Sequence, residues 1–201
     1  MKKFLLSFAF VFTLLGIAAT SAPRAAAADV NAFTIQEYTV DYYLGRDTEG
    51  RSTLKTVEVI RAIFPQTNQN HGLERALPTV YDGHATGLRV TAVTDQRNKA
   101  LQYSSRTSGN NQVLRIGNPD TYVHGDQTYR ITYTQRDVTR FFKDTGADEF
   151  YWDTNGTEWA VPIQSLRATV HLDDKLRGKL TSKQACYIGV AGATSSCEVT
   201  K

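Results

Sequence analysis

Apolar and polar residues alternate with a period of two along much of this chain, and no long stretch carries an apolar stripe at helical spacing. That pattern restricts the chain to sheets. Successive side chains of a strand point to opposite faces, so one face can be buried while the other meets water. Tyr129, Ile131 and Tyr133 alternate with Thr128, Arg130 and Thr132, and Leu166, Ala168 and Val170 alternate with Ser165, Arg167, Thr169 and His171. Phe33, Ile35, Tyr38, Val40 and Tyr42 mark a first strand whose period slips near Gln36, the signature of a bulge, and Asp47 to Gly50 reads as a turn. From Leu54 to Phe64 both faces are apolar, as in the middle of a packed structure, until Pro65 ends the run. Further strands start at Leu88 and Val113. Short, half-buried strands at this spacing predict a mostly β chain, a single antiparallel β-sandwich of immunoglobulin-like or related kind.

The sandwich accounts for residues 29–201 and leaves the first 28 to a different purpose. Lys2 and Lys3 precede an apolar run from Phe4 to about Ala19, and small residues follow, with Ala26 and Ala28 as the small-x-small pair before a cut. These are the parts of a secretory signal peptide. The apolar run, interrupted by Ser7 and Thr13, is short of the roughly 20 residues a spanning helix needs. Export would also remove Lys2, Lys3 and Arg24 but no acid, leaving 20 of the 23 basic residues against 20 acidic ones. The mature domain then has no net charge and no Lys/Arg cluster, which argues against nucleic acid as a partner.

Cys186 and Cys197 are the only cysteines, and in an exported chain they are expected to form a disulfide. Loop entropy puts its contribution at about 3 kcal/mol. Two thiols without nearby histidine or carboxylate spacing fall short of a metal shell, so no metal or cofactor is expected.

Two patches could carry chemistry. His71, Gly72, Leu73, Glu74 and Arg75 bring an imidazole, a carboxylate and a guanidinium into five positions of what reads as a loop between strands. There Glu74 and Arg75 could hold an anion or a carboxylate partner. The structural alternative is that Arg75 pairs with an acid such as Glu58, whose strand position would otherwise bury a lone charge. The second patch runs from Phe150 through Trp152, Asp153, Glu158 and Trp159 to Pro162. Its indoles and carboxylates could bind sugars or serve as a glycosidase pair. Alternatively, Asp153 to Gly156 is the tight turn of a hairpin whose arms bring the two tryptophans together in the core. His84 and His124 sit in turns and His171 on a polar strand face. No Gly-x-Ser-x-Gly elbow, His-Glu-x-x-His pair or phosphate-binding glycine loop occurs, which favours a non-enzymatic chain.

Taken in order, His71-Gly72-Leu73-Glu74-Arg75 with Pro78, Ile116-Gly117 before Asp120, Gly125 before Tyr129, and Tyr151-Trp152 through Gly156 and Trp159 to Pro162-Ile163 resemble the extracytoplasmic domain of YciQ-like predicted bacterial membrane proteins. Cys186-Tyr187 with Gly189, Gly192 and Cys197 is similar to that family's cysteine loop. The family has no established activity. Its members continue into further strands and membrane-spanning helices, so the expectation is a chain lacking its last strand and anchor, with membrane attachment only through that missing C-terminal region, the alternative being a secreted relative that ends early. The expectation is an extracytoplasmic envelope module that binds an envelope protein or a cell-wall ligand. The alternative is a carbohydrate-binding or carbohydrate-active protein using Trp152 and Trp159 with Asp153 and Glu158.

Overall fold

The computed structural model describes residues 29–181, 183–190 and 192–200. The expected signal peptide, residues 1–28, lies outside them. In chain order the strands are β1 (Thr34–Arg46), β2 (Ser52–Phe64), β3 (Leu73–Pro78), β4 (Val80–Tyr81), β5 (His84–Ala85), β6 (Arg89–Thr94), β7 (Tyr103–Ser108), β8 (Asn111–Ile116) and β9 (Gly125–Arg136). There follow β10 (Arg140–Phe142), β11 (Ala147–Glu149), β12 (Leu166–Leu172), a single helical turn α1 (Asp174–Arg177), β13 (Tyr187–Ile188) and β14 (Ser195–Ser196). The chain is mostly β, as its periodicity requires.

A five-stranded sheet in the order β12-β1-β2-β9-β6 and a three-stranded sheet in the order β3-β8-β7 supply one core. The larger sheet contributes Ile35, Tyr38, Tyr42, Leu54, Ile60, Phe64, Ile131 and Tyr133, and the smaller contributes Leu73, Leu77, Leu114 and Ile116. The bulge in β1 falls between Ile35 and Glu37, where the period slipped. β2 is the sheet's middle strand, and Val57 on its outer side is nearly as buried as its inner residues.

Three elements depart from the sequence reading. Leu73–Pro78 is strand β3 and not a loop, paired along its length with β8. β12 pairs with β1 in parallel, unlike every other strand of its sheet, and almost all its residues are exposed, including Leu166 and Val170. It is an edge strand, covered on neither face, so its alternation does not mark a buried side. β7 was absent from the reading because Tyr103–Ser108 is polar and exposed on both faces.

The start of β3 depends on two glycines. Gly72 and Gly117 adopt φ of 135° and 138°, and the backbones cross so closely that a Cβ on Gly72 would lie 1.8 Å from the Ile116 carbonyl oxygen. A Cβ on Gly117 would meet the His71 oxygen at the same distance. Only residues without a side chain fit both the angle and the approach. This crossing sets the register that carries Arg75 inward.

Candidate functional site

Glu58 lies in the middle of β2 on its inward face and is fully buried. An isolated carboxylate there would be costly. Arg75, two residues along β3 from Leu73, turns toward it and is itself only 3 % exposed. Its Nε donates to Glu58 Oε2 and its Nη2 to Oε1, both at 2.8 Å. Tyr133 on β9 donates its hydroxyl to Oε1 at 2.7 Å, so β2, β9 and β3 meet on one carboxylate.

The segment after β11 closes this cluster. Arg75 Nη1 donates to the main-chain oxygens of Ala76 and Asn155, and Trp159 Nε1 donates to the same Asn155 oxygen at 2.9 Å. The guanidinium sits over the rings of Tyr38 and Trp159, which meet edge to face. Burial works against the Arg75 charge, but Glu58 outweighs it and holds the guanidinium well above its ordinary value. Tyr133 is pushed up by burial first and by the Glu58 carboxylate second. All three guanidinium nitrogens of Arg75 and the Tyr133 hydroxyl donate to neighbours within the fold, which suits the centre to holding sheets together, while the buried Tyr38 hydroxyl has no partner.

The candidate residues therefore separate. Adjacent strand positions face opposite ways, so Glu74 points out to Arg106 at 3.0 Å while Arg75 points in. His71 lies elsewhere, with Nδ1 3.1 Å from the Thr121 oxygen and its ring stacked on Tyr122. The predicted Asp153–Gly156 hairpin is not formed: residues 150–162 run as an extended loop with no flanking strand pair. Trp152 stacks on Phe150 and packs against Tyr81, whereas Trp159 packs on Tyr38 and Arg75. Both indoles are half-buried, and Asp153 and Glu158 are exposed. Glu158 and Trp159 line a cavity of about 110 Å³ with Glu74, Arg75 and Arg106. Asp153 is not among its walls; it accepts the Gly156 backbone N–H.

The remaining histidines are surface groups. His124 Nε2 lies 2.9 Å from Asn68 Oδ1, His84 is exposed in β5, and His171 Nε2 lies 2.7 Å from Asp41 Oδ1. Cys186 and Cys197 form a disulfide with Cα atoms 5.3 Å apart, closing the β13–β14 hairpin. Among the described residues no group of three or more His, Cys, Asp or Glu is placed to hold a metal ion.

What the sequence reading lacked was the contribution of Tyr38, Tyr133 and the Asn155 carbonyl. The two tyrosines stood out only as apolar strand markers. A main-chain oxygen leaves no trace in residue identity.

A family model described as the N-terminal domain of a predicted membrane protein (DUF2207) matches residues 34–192. No curated protein matches the sequence. Among solved structures, an M1 zinc metallopeptidase from Deinococcus radiodurans aligns at 16 % identity and TM-score 0.31, covering 51 % of this chain and 20 % of that one. A mutant form of an M1 zinc metallopeptidase from the same organism gives 15 % and 0.39, covering 69 % and 32 %. Leukotriene A4 hydrolase from Saccharomyces cerevisiae gives 17 % and 0.34, covering 57 % and 18 %. The chain thus spans between a fifth and a third of the Deinococcus structures, and less of the yeast one.

Proposed function

Since the chain belongs to the family of predicted membrane protein (DUF2207) N-terminal domains, we propose that it is an extracytoplasmic module of the bacterial cell envelope that binds a ligand or a partner protein. Residues 1–28 direct its export, and residues 29–201 form the module. No helix of the described residues is long and apolar enough to cross a membrane. The family's description as the N-terminal domain of a predicted membrane protein supports anchoring through other parts of its members.

The observation that carries this reading is the Glu58–Arg75 pair. Arg75, which the sequence offered as an anion-binding group, is bound on both sides within the fold, to Glu58 and to the Asn155 carbonyl. The family's motifs then serve as the frame, and binding falls to the outward surfaces that the frame positions.

Two experiments test it. Fusion of alkaline phosphatase to the C-terminus of the chain should give an enzyme active outside the cytoplasm, and an inactive fusion would sink the export assignment. Immobilised chain should recover a defined component from solubilised envelope and not from cytosol. Recovery of nothing specific counts against a binding role.

The carbohydrate reading draws on the cavity that Glu158 and Trp159 share. At about 110 Å³ it is below the roughly 300–1,000 Å³ usual for ligand pockets. It predicts a saturable change in tryptophan fluorescence with peptidoglycan fragments that is lost in Trp159→Phe. A flat titration would remove it.

A further inference from the structure

The outward face of the five-stranded sheet carries a feature unrelated to the buried pair. His171, Tyr43, Lys55, Thr134 and Arg89 stand side by side in register, one from each strand in sheet order. Gly45, Thr53 and Arg136 form the adjacent row. These residues line a single concavity of about 620 Å³, within the size range of ligand sites. Four inter-strand gaps of about 4.8 Å give the row a length of about 19 Å. Gly45 and Gly87, both in its lining, have no side chain to fill it.

The charges in this groove are unbalanced. Lys55, Arg89 and Arg136 bring three cations, and no ion pair among the described residues uses Lys55 or Arg89. Arg136 reaches only Asp137, at 3.9 Å. The carboxylates nearby are otherwise engaged. Asp173, the one carboxylate in the lining, reduces the excess to two cations and accepts the backbone N–H groups of Arg46 and Leu176, and Asp41 holds His171. At one end the Tyr43 ring lies between His171, stacked at 4.5 Å, and the Lys55 ammonium, 5.5 Å from its centre.

We propose that this groove binds a soluble, elongated ligand bearing oxyanions along its length, phosphate or carboxylate, as a linear envelope polymer would. Lys55, Arg89 and Arg136 take successive oxyanions, the arginines bidentately, and Tyr43 offers a flat edge to the uncharged spacer. A bilayer surface is disfavoured as the source because the cations line a concavity and Tyr43 is the one large exposed apolar side chain in the lining, too little to anchor in lipid. The proposal deepens the binding-module reading and rests on it.

Short linear polyphosphate, titrated into the purified chain and followed by backbone amide shifts, tests it. Saturable shifts confined to residues 43–45, 53–55, 87–89, 134–136 and 171–173 are expected, weakening as salt is raised. The K55A/R89A double variant should lose at least about tenfold in affinity. The R61A/R106A variant, which removes the same charge from arginines paired with Asp126 and Glu74, should lose far less. Equal losses in the two variants, no binding, or binding only to phosphatidylglycerol vesicles would each overturn the proposal. A failed polyphosphate titration alongside specific recovery from envelope would remove the groove and leave the binding module standing.

Discussion

Arg75 and Trp159 donate to one and the same acceptor, the main-chain oxygen of Asn155. Through that atom the loop after β11 is fastened to the Glu58 carboxylate at the centre of β2. Removing the loop's share should be mild. Trp159→Phe keeps a ring on Tyr38 but loses one hydrogen bond, an expected cost of about 1 kcal/mol.

Cutting the ion pair is a harsher change. Glu58→Gln or Arg75→Met leaves one buried group without its countercharge and should cost about 3–5 kcal/mol in urea unfolding. The double variant Glu58→Met with Arg75→Met should recover much of that loss, because neither charge is then stranded. A double variant as unstable as the sum of the singles would show that the two residues are not energetically coupled and would contradict the ion pair as the source of the loss.

Gly72→Ala should be among the most damaging small substitutions in the chain. It adds a φ that alanine avoids to a collision with the Ile116 carbonyl, and a loss of more than about 3 kcal/mol is expected. Gly50→Ala is the fitting comparison. Its φ is also positive, at 83°, but nothing stands within 4 Å of the new methyl group. A cost of about 1 kcal/mol is expected there, and similar costs at the two sites would rule out the backbone crossing as the cause.

Alkali should unfold the chain in a steep step. Tyr38, Tyr42, Tyr129 and Tyr133 are all held above the ordinary tyrosine value, in each case by burial first. The Glu58 carboxylate adds to this for Tyr42 and Tyr133, while Arg75 works against it at Tyr38. Unfolded tyrosines ionise near pH 10, whereas the folded chain keeps these four protonated. Their contribution is therefore complete below about pH 10 and is lost as pH climbs from there toward the folded values. Phenolate absorbance and the urea midpoint, followed together, should change over one interval. Phenolate forming with no fall in the midpoint would contradict this.

The disulfide should matter less than loop entropy suggests. Cys186 and Cys197 close a hairpin whose strands are exposed, and among the described residues none past Leu176 joins the core or packs against it. A constraint on a segment that does not unfold with the core leaves the core's equilibrium almost untouched. Replacing both cysteines by serine should shift core stability by less than about 1 kcal/mol, against about 3 from the entropy estimate. A loss near the larger figure would mean that the tail docks on the domain.

The legible part of the fold was the part governed by local alternation. Tyr129, Ile131 and Tyr133 are buried as their spacing required, and the slip at Gln36 is a bulge. β3 was missed because its middle inward position holds Arg75, which breaks the apolar rhythm unless Glu58, 17 residues earlier, is known to face it. The tryptophan loop was misread as a hairpin because Asp153 to Gly156 has turn chemistry, whereas the flanking residues find partners in Tyr38, Tyr81 and Phe150 and not in each other.

By itself the sequence determined that the chain is built from strands and which faces of most of them are apolar, since both follow from sterics and hydration within a few residues. Only the tertiary structure decided that β12 lies parallel to β1, that Tyr133 and the Asn155 carbonyl complete the Glu58–Arg75 pair, and that five strands align a Lys, an Arg and a Tyr along one outer groove. The reason is physical. A period of two is the same for parallel and antiparallel neighbours, and pairing across sheets is settled by the summed burial and hydrogen bonding of residues far apart in the chain.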